Sequence, residues 1–138
     1  MEYFEKKIDD FIKTSEKDAS ITICASTDYL KDNKKPAVIE KFTKIIKKFK
    51  EVREDRTLNI TGIIPKLKES KNSNAGRINN DIEKLCKKED IGFIDIWDIF
   101  HGDKSLYAFN ETSLSNKGKN VLGLLLTKGT VKHFLSSH

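Results

Sequence analysis

Apolar positions switch between two periods along the chain, and each switch predicts an element. Over residues 3–13, Phe4, Ile8, Phe11 and Ile12 recur at helical spacing among charged neighbours, which predicts an amphipathic helix. The run 19–25, containing Ile21, Thr22, Ile23, Cys24 and Ala25, is short, β-branched and bounded by polar clusters, so it predicts a buried strand. A turn over 28–36 follows. Pro36 fits the first turn of a helix, where its missing N–H is not needed. That helix carries a stripe of Val38, Ile39, Phe42, Ile45, Ile46, Phe49 and Val52, with Lys41, Lys44, Lys47, Lys48 and Lys50 expected on the solvated side. Residues 58–65 predict a second strand, stopped by Pro65, which cannot donate to a ladder.

The polar segment 66–76 is expected to be a loop, and the most mobile one. Ile78, Ile82, Leu85 and Cys86 form the next helical stripe, and 91–97 a third strand. A last helix is expected from Ser115, a suitable cap, through Val121, Leu122, Leu124, Leu125 and Leu126. The tail 130–138 reads as a short strand or a docked extension. Strands alternating with helices at this spacing predict an α/β fold with a parallel sheet covered on both faces. The 138 residues suit one domain, 1–138, burying roughly 65 to 70% of the unfolded surface.

With 37% hydrophobic and 34% charged residues, the chain lies outside the compositional range of disordered proteins. Cys24 and Cys86 fall in apolar stretches without CxxC spacing, and the three histidines, His101, His133 and His138, do not complete a metal set with them. Neither a metal nor a cofactor is expected. The amino terminus lacks a leader pattern, and nowhere do about 18 apolar residues follow one another, so the expectation is an intracellular, soluble protein, cytoplasmic or nuclear, without a membrane role. The formal charge of +5 rests mainly on lysine, Arg53, Arg56 and Arg77 being the only arginines. Base-edge reading favours arginine's planar fork, so this balance argues against sequence-specific recognition, while scattered lysines still suit nonspecific contact with phosphate backbones.

The segment Ile60-Thr61-Gly62-Ile63-Ile64-Pro65, the run from Gly92 to Phe100, and the stretch from His101 through Asn110, Ser113, Leu114 and Ser115 to Gly118 together resemble SGNH/GDSL-type hydrolases. The similarity is most specific in the carboxyl half, and some of the uncharacterised members it resembles are associated with mobile elements. The resemblance implies a three-layer, flavodoxin-like parallel sheet. It also implies a nucleophilic serine ending a first strand that would lie before Met1, so the sheet is expected to lack its first strand. The family's final block carries Asp-x-x-His, and this chain has Asn110 and Ser113 there. Its oxyanion asparagine aligns with Thr27, in a block where only Asp28 agrees.

Serine acyl transfer needs a base within hydrogen-bond reach and donors aimed at the developing oxyanion. Loss of one triad member leaves only about 10³ to 10⁴-fold over water, and here nucleophile, base and oxyanion donor all depart from the pattern. The expectation is a pseudoenzyme. Ser26, Asp28, Pro65 and His101 are the candidate lining of the old cleft. Each also has a structural reading: Asp28 as a turn or capping carboxylate, His101 as a loop residue held by neighbouring backbone, Trp97 and Phe100 as core aromatics. In flavodoxin-like sheets the first strand is central, so its loss would turn Ile21–Ala25 into an open edge able to recruit a second copy or another protein. Two alternatives remain: a nonspecific nucleic-acid-binding accessory domain of mobile-element origin, and a residual esterase with an altered site.

Overall fold

Three short strands, β1 (Ser20–Ile23), β2 (Thr57–Thr61) and β3 (Gly92–Ile94), form a parallel sheet in the order β1-β2-β3. This computed structural model describes residues 10–23, 35–110 and 113–128. Helix α1 (Lys35–Glu51) crosses from β1 to β2, and α2 (Asn74–Glu89) from β2 to β3. Both crossovers step in one direction, and their helices pack on each other over one face of the sheet, as the right-handed rule for parallel connections requires. A short helix α3 (Trp97–Phe100), a 3₁₀ turn (Lys104–Leu106) and α4 (Asn116–Lys128) complete the chain. The fold is mixed α/β with helices on both sides of the sheet, consistent with a truncated flavodoxin-like arrangement.

The strand register explains the two cores. Ile21 lies beside Leu58, Ile23 beside Ile60, and Ile60 beside Phe93, so these side chains share one face. They pack with Val38, Phe42, Ile45 and Phe49 of α1 and with Ile78, Ile82 and Cys86 of α2. The opposite face carries Ser20, Thr22, Asn59 and Thr61, and of the strand residues only Ile94 joins the second cluster, with Leu67, Ile96, Phe100, Leu106 and Tyr107. Val121, Leu122 and Leu125 of α4 lean on that cluster. A strand buried between two helical layers reads as a continuous apolar run; β1 and β2 instead alternate apolar and polar. The second apolar layer accordingly gathers beside the end of β3 rather than over β1 and β2.

Several boundaries differ from those the sequence predicts. β2 ends at Thr61 because the Ile63 N–H turns to the Asn79 side chain at 2.7 Å instead of to a neighbouring strand. Trp97 does not close the third strand; it opens α3, after Asp95 Oδ1 accepts the Asp98 N–H at 3.3 Å. Lys41 is only 4% exposed, unlike the solvated lysine its stripe predicts. The segment 66–76 is organised by Glu69, whose carboxylate accepts from the Lys66 N–H and from the Ser73 hydroxyl, both at 3.0 Å. Ser73 in turn caps α2 by accepting the Gly76 N–H. Ser115 caps α4 as predicted, accepting the Gly118 N–H at 3.0 Å. The first predicted helix is described over 10–14 only, and the tail 130–138 lies outside the described residues.

Candidate functional site

The two positions where the resemblance demands an acid and a base are engaged with each other. Asn110 Oδ1 accepts the Ser113 N–H at 2.9 Å, and Asn110 Nδ2 donates to Ser113 Oγ at 3.2 Å. Asn and Ser both favour such local side-chain turns. The loop around them is closed by an antiparallel bridge between Tyr107 and Leu114 and by Ala108 N–H donating to the Ser113 carbonyl at 2.8 Å. Ser115 Oγ donates to the Ser105 carbonyl at 2.7 Å, tying the start of α4 to the 3₁₀ turn. At Gly118 any Cβ would collide with the Leu106 carbonyl oxygen, so α4 needs glycine at this crossing. At these two positions the loop holds a carboxamide and a hydroxyl, neither of which exchanges a proton near neutral pH.

Pro65 is buried, and its carbonyl accepts the Tyr107 hydroxyl at 2.5 Å. Burial, aided by the charge of Glu69, pushes the Tyr107 phenol up to about 12. This pair is a structural tie between the end of β2 and the loop before α4. His101 follows α3: its backbone N–H donates to the Trp97 carbonyl at 2.8 Å, and its exposed ring stacks on Trp97 with centroids 6.1 Å apart. Trp97 and Phe100 themselves are core residues. Ser26, Thr27 and Asp28 lie outside the described residues, as do Cys24 and Ala25 of the predicted edge strand.

The remaining strand residues sit where the sequence places an open edge. β1 is a terminal strand, pairing with β2 alone among the described residues. The Ala19 carbonyl accepts the Thr57 N–H at 3.0 Å. Alternation along a parallel strand then points the N–H and C=O groups of Ser20 and Thr22 away from β2. Ile21 is buried, whereas Thr22 and Ile23 are half-buried. Among the described residues, the edge therefore offers unpaired backbone groups above an apolar underside.

Sequence reasoning missed a polar cavity of about 280 Å³ beside the carboxyl end of β3, lined by Lys71, Asn79, Asn80, Glu83, Asp95 and Trp97 among others. Lys71 Nζ bridges to Asp98 at 3.0 Å on its rim. The buried Trp97 indole N–H finds no acceptor among the described residues. Its walls come from three separate chain segments, so periodicity gives no sign of it. Among the described residues no group of three or more His, Cys, Asp or Glu side chains is placed to hold a metal ion. Nor is any described helix long and apolar enough to cross a membrane. No protein-family model matches the chain, and no curated protein matches it either.

Proposed function

We propose that this chain is a noncatalytic SGNH hydrolase-like domain that acts as an oligomerisation or protein-interaction module through the open edge of β1. The observation that carries the reading is the terminal position of β1, with Ser20 and Thr22 presenting backbone donors and acceptors outward. The strand carries neither lysine nor proline over Ser20–Ile23, two of the residues that commonly blunt an edge. The Asn110–Ser113 turn supports the noncatalytic half of the reading, because it fills the acid and base positions with groups that do not titrate.

Pairing of two β1 strands about a twofold axis would be isologous and self-limiting. Light scattering coupled to size exclusion, run over rising protein concentration, tests it. The wild type is expected to shift towards a dimer, and Thr22→Pro to stay monomeric with an unchanged far-ultraviolet circular dichroism spectrum, since the lost N–H faces away from β2. A wild type that stays monomeric at its solubility limit overturns self-pairing. Reaction with a serine-directed fluorophosphonate, read by intact mass, tests the other half: a stoichiometric adduct overturns the pseudoenzyme reading.

A further inference from the structure

The end of the sheet opposite the Asn110–Ser113 loop holds a second cavity, of about 520 Å³, lined by Lys13, Lys17, Lys50, Glu51, Val52, Arg53, Glu54 and Arg56. Among the described lining residues five cationic side chains face two carboxylates, a formal balance of +3. Two of the three arginines in the chain are here. Arg56 is 5% exposed and fixed by three hydrogen bonds: Nε to Ser15 Oγ at 2.9 Å, Nη2 to the Ser15 carbonyl at 2.8 Å, and Nη1 to the Val52 carbonyl at 2.7 Å. Those three acceptors are neutral, and its one ion pair among the described residues is with Glu54. Its carboxylate neighbour, Glu54, stands 3.6 Å away and is half exposed. A cation held in low dielectric by neutral groups projects its field further than one in water.

The rest of the wall is also positioned. The turn between α1 and β2 is closed by Arg56 N–H donating to the Arg53 carbonyl at 2.9 Å, with Glu54 in the left-handed region at φ 50°. The Arg53 guanidinium lies over the Phe49 ring, 5.9 Å from its centroid. Lys50 is drawn to Glu89, at 2.7 Å, which reduces its share. The carboxyl end of α1 disfavours an anion by roughly half a charge, which leaves Lys17 and the exposed Arg53 as the cations to offset it. Guanidinium forks match the oxygens of a phosphate group better than ammonium groups do.

We infer that this cavity is a binding site for a phosphate-bearing anion. The site is independent of the β1 edge and of any residual chemistry at the opposite end. The phosphate could be supplied by a small phosphate ester or by a nucleic-acid backbone, and the test separates the two.

Inorganic pyrophosphate and a short oligothymidylate are titrated in turn into ¹⁵N-labelled protein at low ionic strength, with Arg53→Glu as the site variant and Lys119→Glu as a control of equal charge change away from the cavity. Saturable, salt-sensitive shifts centred on Lys17, Arg53 and Arg56 are expected, weakened at least about tenfold by Arg53→Glu and less than about threefold by Lys119→Glu. Saturation by pyrophosphate alone assigns a small phosphate ester; tighter saturation by the oligonucleotide at the same residues assigns a backbone. Absence of saturation with both probes, or equal weakening by the two variants, overturns the site and leaves only the net charge of the chain.

Discussion

Asn79 Oδ1 accepts the backbone N–H of Ile63 at 2.7 Å, across the gap where β2 leaves the sheet. The last bond of that strand pair runs from Gly62 N–H to the Ile94 carbonyl at 2.8 Å; one residue later a side chain from α2 takes over. The exchange fixes the direction in which 62–65 departs and hence places Pro65 under the Tyr107 hydroxyl. It also explains Gly62, because a Cβ there would come within 2.6 Å of Asn79 Oδ1 and 2.9 Å of Phe93 Cζ.

Asn79→Ala should therefore leave a buried N–H without an acceptor and lower stability by about 1–3 kcal/mol. Gly62→Ala should cost a similar amount, about 1–3 kcal/mol, through overpacking. Urea unfolding followed by circular dichroism checks both, with the slope of the transition expected to stay constant.

Arg56 joins residues far apart in the chain, reaching Ser15 and Val52 together. Arg56→Met should cost about 2 kcal/mol, since it strands the half-buried carbonyls of Ser15 and Val52. Glu54→Ala should change stability by less than about 0.5 kcal/mol, because the half-exposed carboxylate is loosely paired. Equal losses in the two variants would mean that the ion pair, not the neutral anchoring, holds this corner.

The protein should lose stability in alkali. Burial, then the charge of Glu83, pushes the Cys86 thiol from 9.0 to about 12, and Tyr107 rises from 10.0 to about 12. Below pH 9 the folded and unfolded states both keep these protons, so the contribution of the neutral groups is complete. As pH rises from 9 towards 12, the unfolded chain releases protons that the folded one retains, and the unfolding free energy falls. Urea midpoints across this range should decline, with a shallower decline in Cys86→Val. Alkylation of Cys86 in native protein should be slow and should track unfolding.

Placing the letters of the resemblance at 110 and 113 should not create turnover. The variant Asn110→Asp with Ser113→His breaks the turn in which these residues hold each other, yet supplies only an acid and a base. Hydrolysis of a p-nitrophenyl acyl ester is expected to stay at the buffer rate. Turnover above that rate would mean that a nucleophile stands ready elsewhere in the cleft.

The sequence by itself determined the alternation of three strands with amphipathic helices, the apolar faces of β1 and β2, the proline in the first turn of α1 and the Ser115 cap, since all of these depend on neighbours within about one helical turn or two strand residues. It also marked Asn110 and Ser113 as neutral residues, and it led to the expectation of an edge over Ile21–Ala25, of which Cys24 and Ala25 lie outside the described residues. Only the tertiary structure decided that Lys41 is buried, that Trp97 opens a helix, that Asn79 ends β2, and that Arg53 and Arg56 meet Lys13 and Lys17 around one cavity. These groups lie tens of residues apart along the chain. Their meeting is set by the order in which strands join the sheet and by the side on which each crossover packs, and no local period encodes either.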